Sequence, residues 1–315
     1  MVQHRNRDNS DTRIAGRRPT LRHASLPEPM FRLLPLAALV LALAACDASA
    51  PDLELATADL DDAAVTLASA VALDAGGLLE DAAASAALAT SLSGTARTTS
   101  IDRPGCRADR TYDAATGAWT AVADCERGNP DGRFYVAFAR TSTYRFLDGD
   151  GQSQETREGA VSAEHAVLSG SSTFRSPFGV HVLQSLTTHL TVSDLDAELV
   201  TIDGTVQRAA TDTLRGPRGE RTLAYELDAT LDGIQGPRGL AKRWRRAVDG
   251  TITGTLRATL TRTLRDGETS LVEIDEAFTI EFPVTGSGDR VAEILLGGRR
   301  YRADIDTGEI GGMAL

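Results

Sequence analysis

The chain has little of what catalytic and nucleic-acid-binding sites are usually built from. Its 315 residues include three Cys, five His, two Trp and a single Lys, Lys242, and aromatic residues make up 5%. Of the few His, His4 and His23 lie in the first 29 residues, leaving His165, His181 and His189 as candidate bases or ligands. There is no G-x-S-x-G nucleophile elbow and no Cys-x-x-Cys pair. A net charge of -11 argues against a phosphate-backbone partner, so no nucleic acid is expected. Only one apolar run stands out, and it falls short of the roughly 18 residues that a membrane span needs. No transmembrane helix is therefore expected.

That run is Met30-Phe-Arg-Leu-Leu-Pro-Leu-Ala-Ala-Leu-Val-Leu-Ala-Leu-Ala-Ala-Cys46. One Arg, about a dozen apolar residues and a small-residue ending form a signal-peptide pattern. Its last four residues, Leu43-Ala44-Ala45-Cys46, resemble the lipobox of bacterial lipoproteins. The resemblance implies a diacylglycerol on the Cys46 thiol, cleavage before Cys46, and acylation, such as by palmitate, of the new amino terminus. The expected organisation is a polar Arg-rich segment, 1-29, absent from the mature protein, then a signal at 30-45 and a lipidated tether at 46-51. An anchor with two or three chains suffices for stable attachment, at about 0.8 kcal/mol per buried CH₂. The expected location is extracytoplasmic, on the inner or outer membrane of a bacterial envelope. Removing residues 1-45 takes away seven Arg and three acidic residues and leaves a mature net charge of -15.

With Cys46 assigned to lipid, Cys106 and Cys125 remain as an even pair in an oxidising compartment. The segment between them reads as a hairpin turning at Asp113-Ala-Ala-Thr-Gly-Ala118. If Tyr112 faces Trp119, Arg110 faces Ala121 and Cys106 faces Cys125, so one register satisfies both the aromatic pair and the cysteines. A structural disulfide is expected there, because opposed ladder positions lie close enough for one.

Residues 52-94 are rich in Ala, Leu and Asp, with Leu53, Leu60, Leu67, Val71, Leu78 and Leu79 at helical intervals and Gly76-Gly77 as a break. Two packing helices with acidic outer faces are expected. From 95 to 315 the period becomes two, as in Phe134, Val136, Phe138, Tyr144 and Phe146, or Leu223, Tyr225, Leu227, Ala229 and Leu231. Turn signals punctuate it at Asp148-Gly151, Asp203-Gly204, Gly216-Gly219, Gly236-Gly239, Asp266-Gly267, Gly297-Gly298 and Asp306-Gly308. In the longest hairpin, a three-residue loop Arg265-Asp266-Gly267 sets Leu260 against Val272 and lays Phe278 over Gly254, with Pro283 ending the strand. The expected fold is mainly β, an antiparallel meander forming a strongly curved sheet or barrel with N-terminal α-helices. In shape such an architecture is similar to the half-barrel lipoprotein carriers of the bacterial envelope, although no motif matches residue by residue.

No constellation in the sequence carries a named chemistry, so no catalytic, metal or cofactor residues are assigned. His181 and His189 share a parity, but eight residues of continuous strand separate them by about 26 Å. Asp148-Gly-Asp-Gly151 and Asp304-Ile-Asp306-Thr-Gly308-Glu309 read as turns rather than Ca²⁺ loops. Lys242-Arg-Trp-Arg-Arg246 reads either as a strand with solvated Arg or as an anionic-lipid or glycan surface with Trp244 exposed. The function expected is that of a non-enzymatic envelope lipoprotein, either binding a lipophilic ligand or acting as a structural or interaction module. An envelope hydrolase with a spatially assembled site is the alternative.

Overall fold

Period-two alternation is realised as strands through most of the chain. A computed structural model describes residues 57-73, 77-91, 105-216, 219-238, 244, 248-282 and 290-311. The Met30-Cys46 run, residues 1-29, Pro283 and the four basic residues around Trp244 lie outside them. Two helices, α1 (Thr57–Val71) and α2 (Leu78–Ser91), precede the sheet. Its strands are β1 (Cys106–Asp113), β2 (Ala118–Gly128), β3 (Tyr135–Leu147), the short β4 (Ser153–Gln154), β5 (Ser162–Ser176) and β6 (Gly179–Ser193). They continue with β7 (Leu199–Gly216), β8 (Gly219–Pro237), β9 (Asp249–Leu264), β10 (Thr269–Phe282), β11 (Val291–Leu296) and β12 (Arg299–Asp304). Every pairing is antiparallel and the strands follow one another in chain order, with β4 attached to β3 off the main path. The sheet is open, with β1 and β12 as its two edges.

Both hairpins worked out from parity have the expected register. Cys106 faces Cys125, Arg110 faces Ala121 and Tyr112 faces Trp119. The two cysteines form a disulfide with their Cα atoms 4.0 Å apart. Leu260 faces Val272, and Phe278 faces Gly254, where a Cβ would sit 2.8 Å from the ring. Gly267 closes that hairpin at φ +89, the left-handed position the three-residue loop requires. One expected turn is not a turn. Asp203-Gly204 lies inside β7, where the register against β8 shifts between Ile202 and Gly204. The strand bends there by a bulge instead of ending. Gly236-Pro237 likewise still belongs to β8.

The helices lie on one face of the sheet, α1 against β9, β11 and β12, and α2 against β5, β6 and β7. Ala63, Ala64, Ala82, Ala83 and Ala86 are fully buried, as are Leu67, Leu78 and Leu79. Small side chains let the helix backbones approach the strands, and a few Leu fill the gaps. Helices of 15 and 14 residues are marginal alone, so this packing is what stabilises them.

Glu80 is exposed, but the other acids of the helices are not on a solvated outer face. Asp59 and Asp62 of α1 pair with Arg262 at 2.6 and 2.8 Å, and Asp62 also with Arg221. Asp61 accepts a hydrogen bond from the Tyr301 hydroxyl at 3.2 Å. Asp81 of α2 pairs with Arg140 of β3 at 2.8 Å. Two contacting helices thus reach side chains from β3 to β12. A flat sheet would separate those strands by roughly 38 Å at about 4.8 Å per step, whereas packed helices lie only about 10 Å apart. A sheet curled around the helix pair accounts for that reach.

Candidate functional site

Opposed residues in a ladder point to the same face, so the register assigns a side to each strand residue. Starting from Tyr144 and Phe146, which are buried, the helix-side positions of β3 run back through Arg140, Phe138 and Val136. Two bulges keep the neighbouring strands in step with them. Leu168 is the extra residue in β5 and Gln184 the extra residue in β6. Past those bulges Phe174, His181 and Asp212 follow one another across β5, β6 and β7 on the helix side.

Beyond α2 this face loses its cover. Val136, Phe138 and Phe174 are 39, 39 and 50% exposed, although they share a face with the fully packed core. They wall a cavity of about 680 Å³ whose other side is formed by the end of α1 and the start of α2, at Ser69, Ala70, Asp81 and Ala84. The cavity floor is polar. His181 Nδ1 lies 2.6 Å from Asp212 Oδ1, and Arg208 Nη2 lies 3.2 Å from His181 Nε2. Arginine only donates, so Nε2 is the acceptor and Nδ1 donates its proton to Asp212. Both ring nitrogens are thereby committed. Arg208, itself buried, also donates to the Ala70 carbonyl at 3.5 Å, tying the end of α1 to the floor.

Burial sets the acid-base character of the groups around this floor. It pushes the Tyr225 hydroxyl up to about 12. It also raises the Asp81 carboxyl, against the opposing pull of Arg140. His165, which faces Tyr144 in the ladder, is pushed down to about 4 by burial, helped by the charge of Arg140. Its Nδ1 lies 2.6 Å from Ser85 Oγ, which donates to the Asp81 carbonyl at 2.8 Å. This Ser-His pair is sealed under α2, with Ser85 1% exposed, and the serine proton is already placed.

The three histidines are not brought together. The bulge at Gln184 breaks the shared parity of His181 and His189, turning His181 to the helix side and His189 to the exposed outer side. Among the described residues no group of His, Cys, Asp and Glu is arranged to hold a metal. Asp148 accepts from the backbone N–H groups of Asp150 and Gln152 at 3.0 and 2.8 Å, and Asp304 from those of Asp306 and Thr307, both at 2.9 Å. Both are turn caps. Trp244 is fully buried and packs over Gly236, so it is not the exposed apolar surface of a lipid or glycan site.

Parity alone would have found Val136 and Phe138. Phe174, His181 and Asp212 could not be placed beside them without knowing the bulges. The chain matches no protein-family model, no curated protein and no solved structure.

Proposed function

We propose that the chain is a bacterial envelope lipoprotein, lipidated at Cys46 after loss of residues 30-45, whose β domain binds a lipophilic ligand without catalysing its conversion. The observation that carries the binding reading is the uncovered part of the helix-side face, where Val136, Phe138 and Phe174 stand exposed around a cavity of about 680 Å³. That volume is within the range of small-molecule sites, roughly 300–1,000 Å³, and most of its exposed surface is apolar, although Glu80, Asp81, Arg140, His181, Arg208 and Asp212 also line it. Exposed apolar side chains converging on one concavity are costly in water unless something covers them.

The hydrolase alternative finds little to draw on. Ser85 is buried with its proton committed, and His181 has both nitrogens engaged by Asp212 and Arg208. Ser85 is thus not poised as a nucleophile, nor His181 as a general base. A purely structural role fits the packed part of the sheet but leaves the exposed aromatic wall without a purpose.

The neutral dye N-phenylnaphthylamine, which fluoresces in apolar surroundings, tests the binding reading. Saturable enhancement by the wild-type chain, lost in Phe138→Ser, is the expected result. Absence of saturable binding would overturn it. Mass spectrometry of the mature amino terminus tests the anchor, and any residue preceding Cys46, or an unacylated Cys46, would contradict it.

A further inference from the structure

The two ends of the sheet differ in character. Hairpins β5–β6, β7–β8 and β9–β10 turn at one end, where β3 also begins. Their register sets them level, because Gly179 faces Leu214, two residues before the end of β7, and Gly219 faces both Gly216 and Leu264. The three turns thus end within about two residues, roughly 7 Å, of one line. Along that line stand five exposed apolar side chains, Phe134, Phe178, Leu214, Leu264 and Leu271, the first two being 67 and 76% exposed. Leu214 faces Gly179, and the Arg215 N–H donates to the Phe178 carbonyl at 2.9 Å, so neighbouring turns place these residues side by side. None of the five lines the cavity. Exposed singly they would be ordinary, but in one row they form an apolar rim.

The opposite end is acidic. Its turns at 113–118, 148–152, 155–161 and 194–198 carry eight carboxylates against Arg157 alone, and Val161 is their one exposed large apolar residue. At the apolar rim the described residues of 131–134, 214–220 and 264–271 carry three arginines and four carboxylates, close to balance.

Helix α1 begins at the apolar end. Asp59 and Asp62 pair with Arg262, and Asp62 with Arg221, which lie two residues from the end of β9 and two from the start of β8. Ten residues, 47–56, join Thr57 to Cys46, a reach of at most about 40 Å at roughly 3.3–3.6 Å per residue. The 19 residues of β8 run roughly 60 Å at about 3.3 Å each. A lipid on Cys46 is therefore tethered too closely to the apolar end for the chain to stand on its acidic end.

We propose that the rim of Phe134, Phe178, Leu214, Leu264 and Leu271 docks on the bilayer that holds the anchor, its side chains entering the headgroup boundary and the acidic turns pointing away. The proposal rests on the lipoprotein reading above and adds an orientation and a second contact. Buried apolar area drives such docking, and the near balance of charge at the rim leaves little call for anionic lipid. Carboxylates at the other end keep their hydration, which burial at the boundary would cost them. Val136 lies two residues in from Phe134 on the same face, so docking sets the cavity wall beside the lipid.

Bimane on a single introduced thiol reads the orientation. Phe178→Cys at the rim and Asp150→Cys at the acidic end are each made in the full chain, whose acylated Cys46 and Cys106–Cys125 disulfide leave no other free thiol. The labelled chains are reconstituted in phosphatidylcholine vesicles bearing a nitroxide on an acyl chain. Quenching at position 178 is expected to be several-fold stronger than at position 150. Equal quenching at both, or none at either with the chain on the vesicles, would overturn the docking and leave the anchor intact. A chain that takes a second label at Cys46 and stays off the vesicles would contradict the anchor instead.

The rim is then read without the lipid, on the mature chain carrying Cys46→Ser and made without residues 1–45. It is expected to sediment with phosphatidylcholine vesicles, with or without added salt, and Phe134→Ser with Phe178→Ser should lower that partition at least about tenfold. Both rings are mostly exposed, so the urea midpoint should barely move, which separates lost docking from lost folding. No partition, or partition unchanged in the double variant, would overturn the proposal. So would a dimer in solution that dissociates on Phe178→Ser, since the rim would then belong to a second copy.

Discussion

The helix-side face of this sheet has two halves with the same alternation and opposite fates. From β6 to β12 it is covered by α1 and α2, and residues such as Leu227, Leu231, Ile252 and Ile280 are excluded from water. Toward the β1 edge it is covered only over Tyr144 and Phe146 of β3 and the β5 residues beside them, and farther along those strands Val136, Phe138 and Phe174 are exposed. Composition does not distinguish them, since each strand alternates apolar and polar residues. The difference lies in the helix layer, because the two helices among the described residues, of 15 and 14 residues, are too few to cover eleven strand widths. An apolar face is a core only where something lies on it; elsewhere it is a surface available for binding.

Substitutions in the two halves should therefore separate stability from binding. The largest effect is expected in the covered half. Leu79→Ala, on the buried face of α2, should lower the unfolding free energy by about 3–4 kcal/mol in a urea titration. A smaller loss, close to that of exposed sites, would mean that α2 is not the cover it is taken to be. Replacing both Cys106 and Cys125 by Ser, which frees the β1–β2 edge of the open half, should cost about 3 kcal/mol by the chain-entropy argument. It should leave the α2 core intact in hydrogen exchange.

Acid should act first on the covered half. His165 is held near 4 in the folded chain and returns to 6.5 on unfolding, so the unfolded state takes up the extra proton between those values. Stability is therefore lost as pH falls from about 6.5 to about 4, by up to ~3 kcal/mol. Asp81 works in the opposite sense. Its carboxyl is raised above 3.8 by burial, so its folded form keeps a proton that the unfolded form releases, and acid relieves its cost. His165→Gln should flatten the loss between pH 6.5 and 4, which unfolding midpoints measured across that range would reveal. An unchanged slope would place the acid sensitivity elsewhere.

Much of the strand order and two full registers were legible in the sequence, because each rested on two coinciding constraints. Tyr112–Trp119 and the cysteines agreed on one hairpin; even parity and the Gly267 turn agreed on the other. What could not be read were the irregularities. A bulge flips every later side chain, and nothing in Leu168 or Gln184 announces one, so parity puts His181 on the face of His189 rather than on that of Asp212 and Phe174. Asp203-Gly204 carries the same signal for a turn and for a bulge. The Lys242–Arg246 run hid a core residue because its charge outweighed the one clue to its packing, Gly236, which makes room for the Trp244 ring. The helix acids looked solvated because their partners, Arg140, Arg221 and Arg262, are distant in sequence.

The smallest change in stability should accompany the largest change in binding. The double variant Phe138→Ser with Phe174→Ser, measured for both urea unfolding and N-phenylnaphthylamine binding, puts the two halves of the face directly against each other. The rings are 39 and 50% exposed, so removing both should lower the unfolding free energy by about 2 kcal/mol in total, less than Leu79→Ala alone, while dye affinity falls at least about tenfold. A loss of stability as large as that of Leu79→Ala, with dye binding unchanged, would show that the exposed wall belongs to the core and would contradict the account.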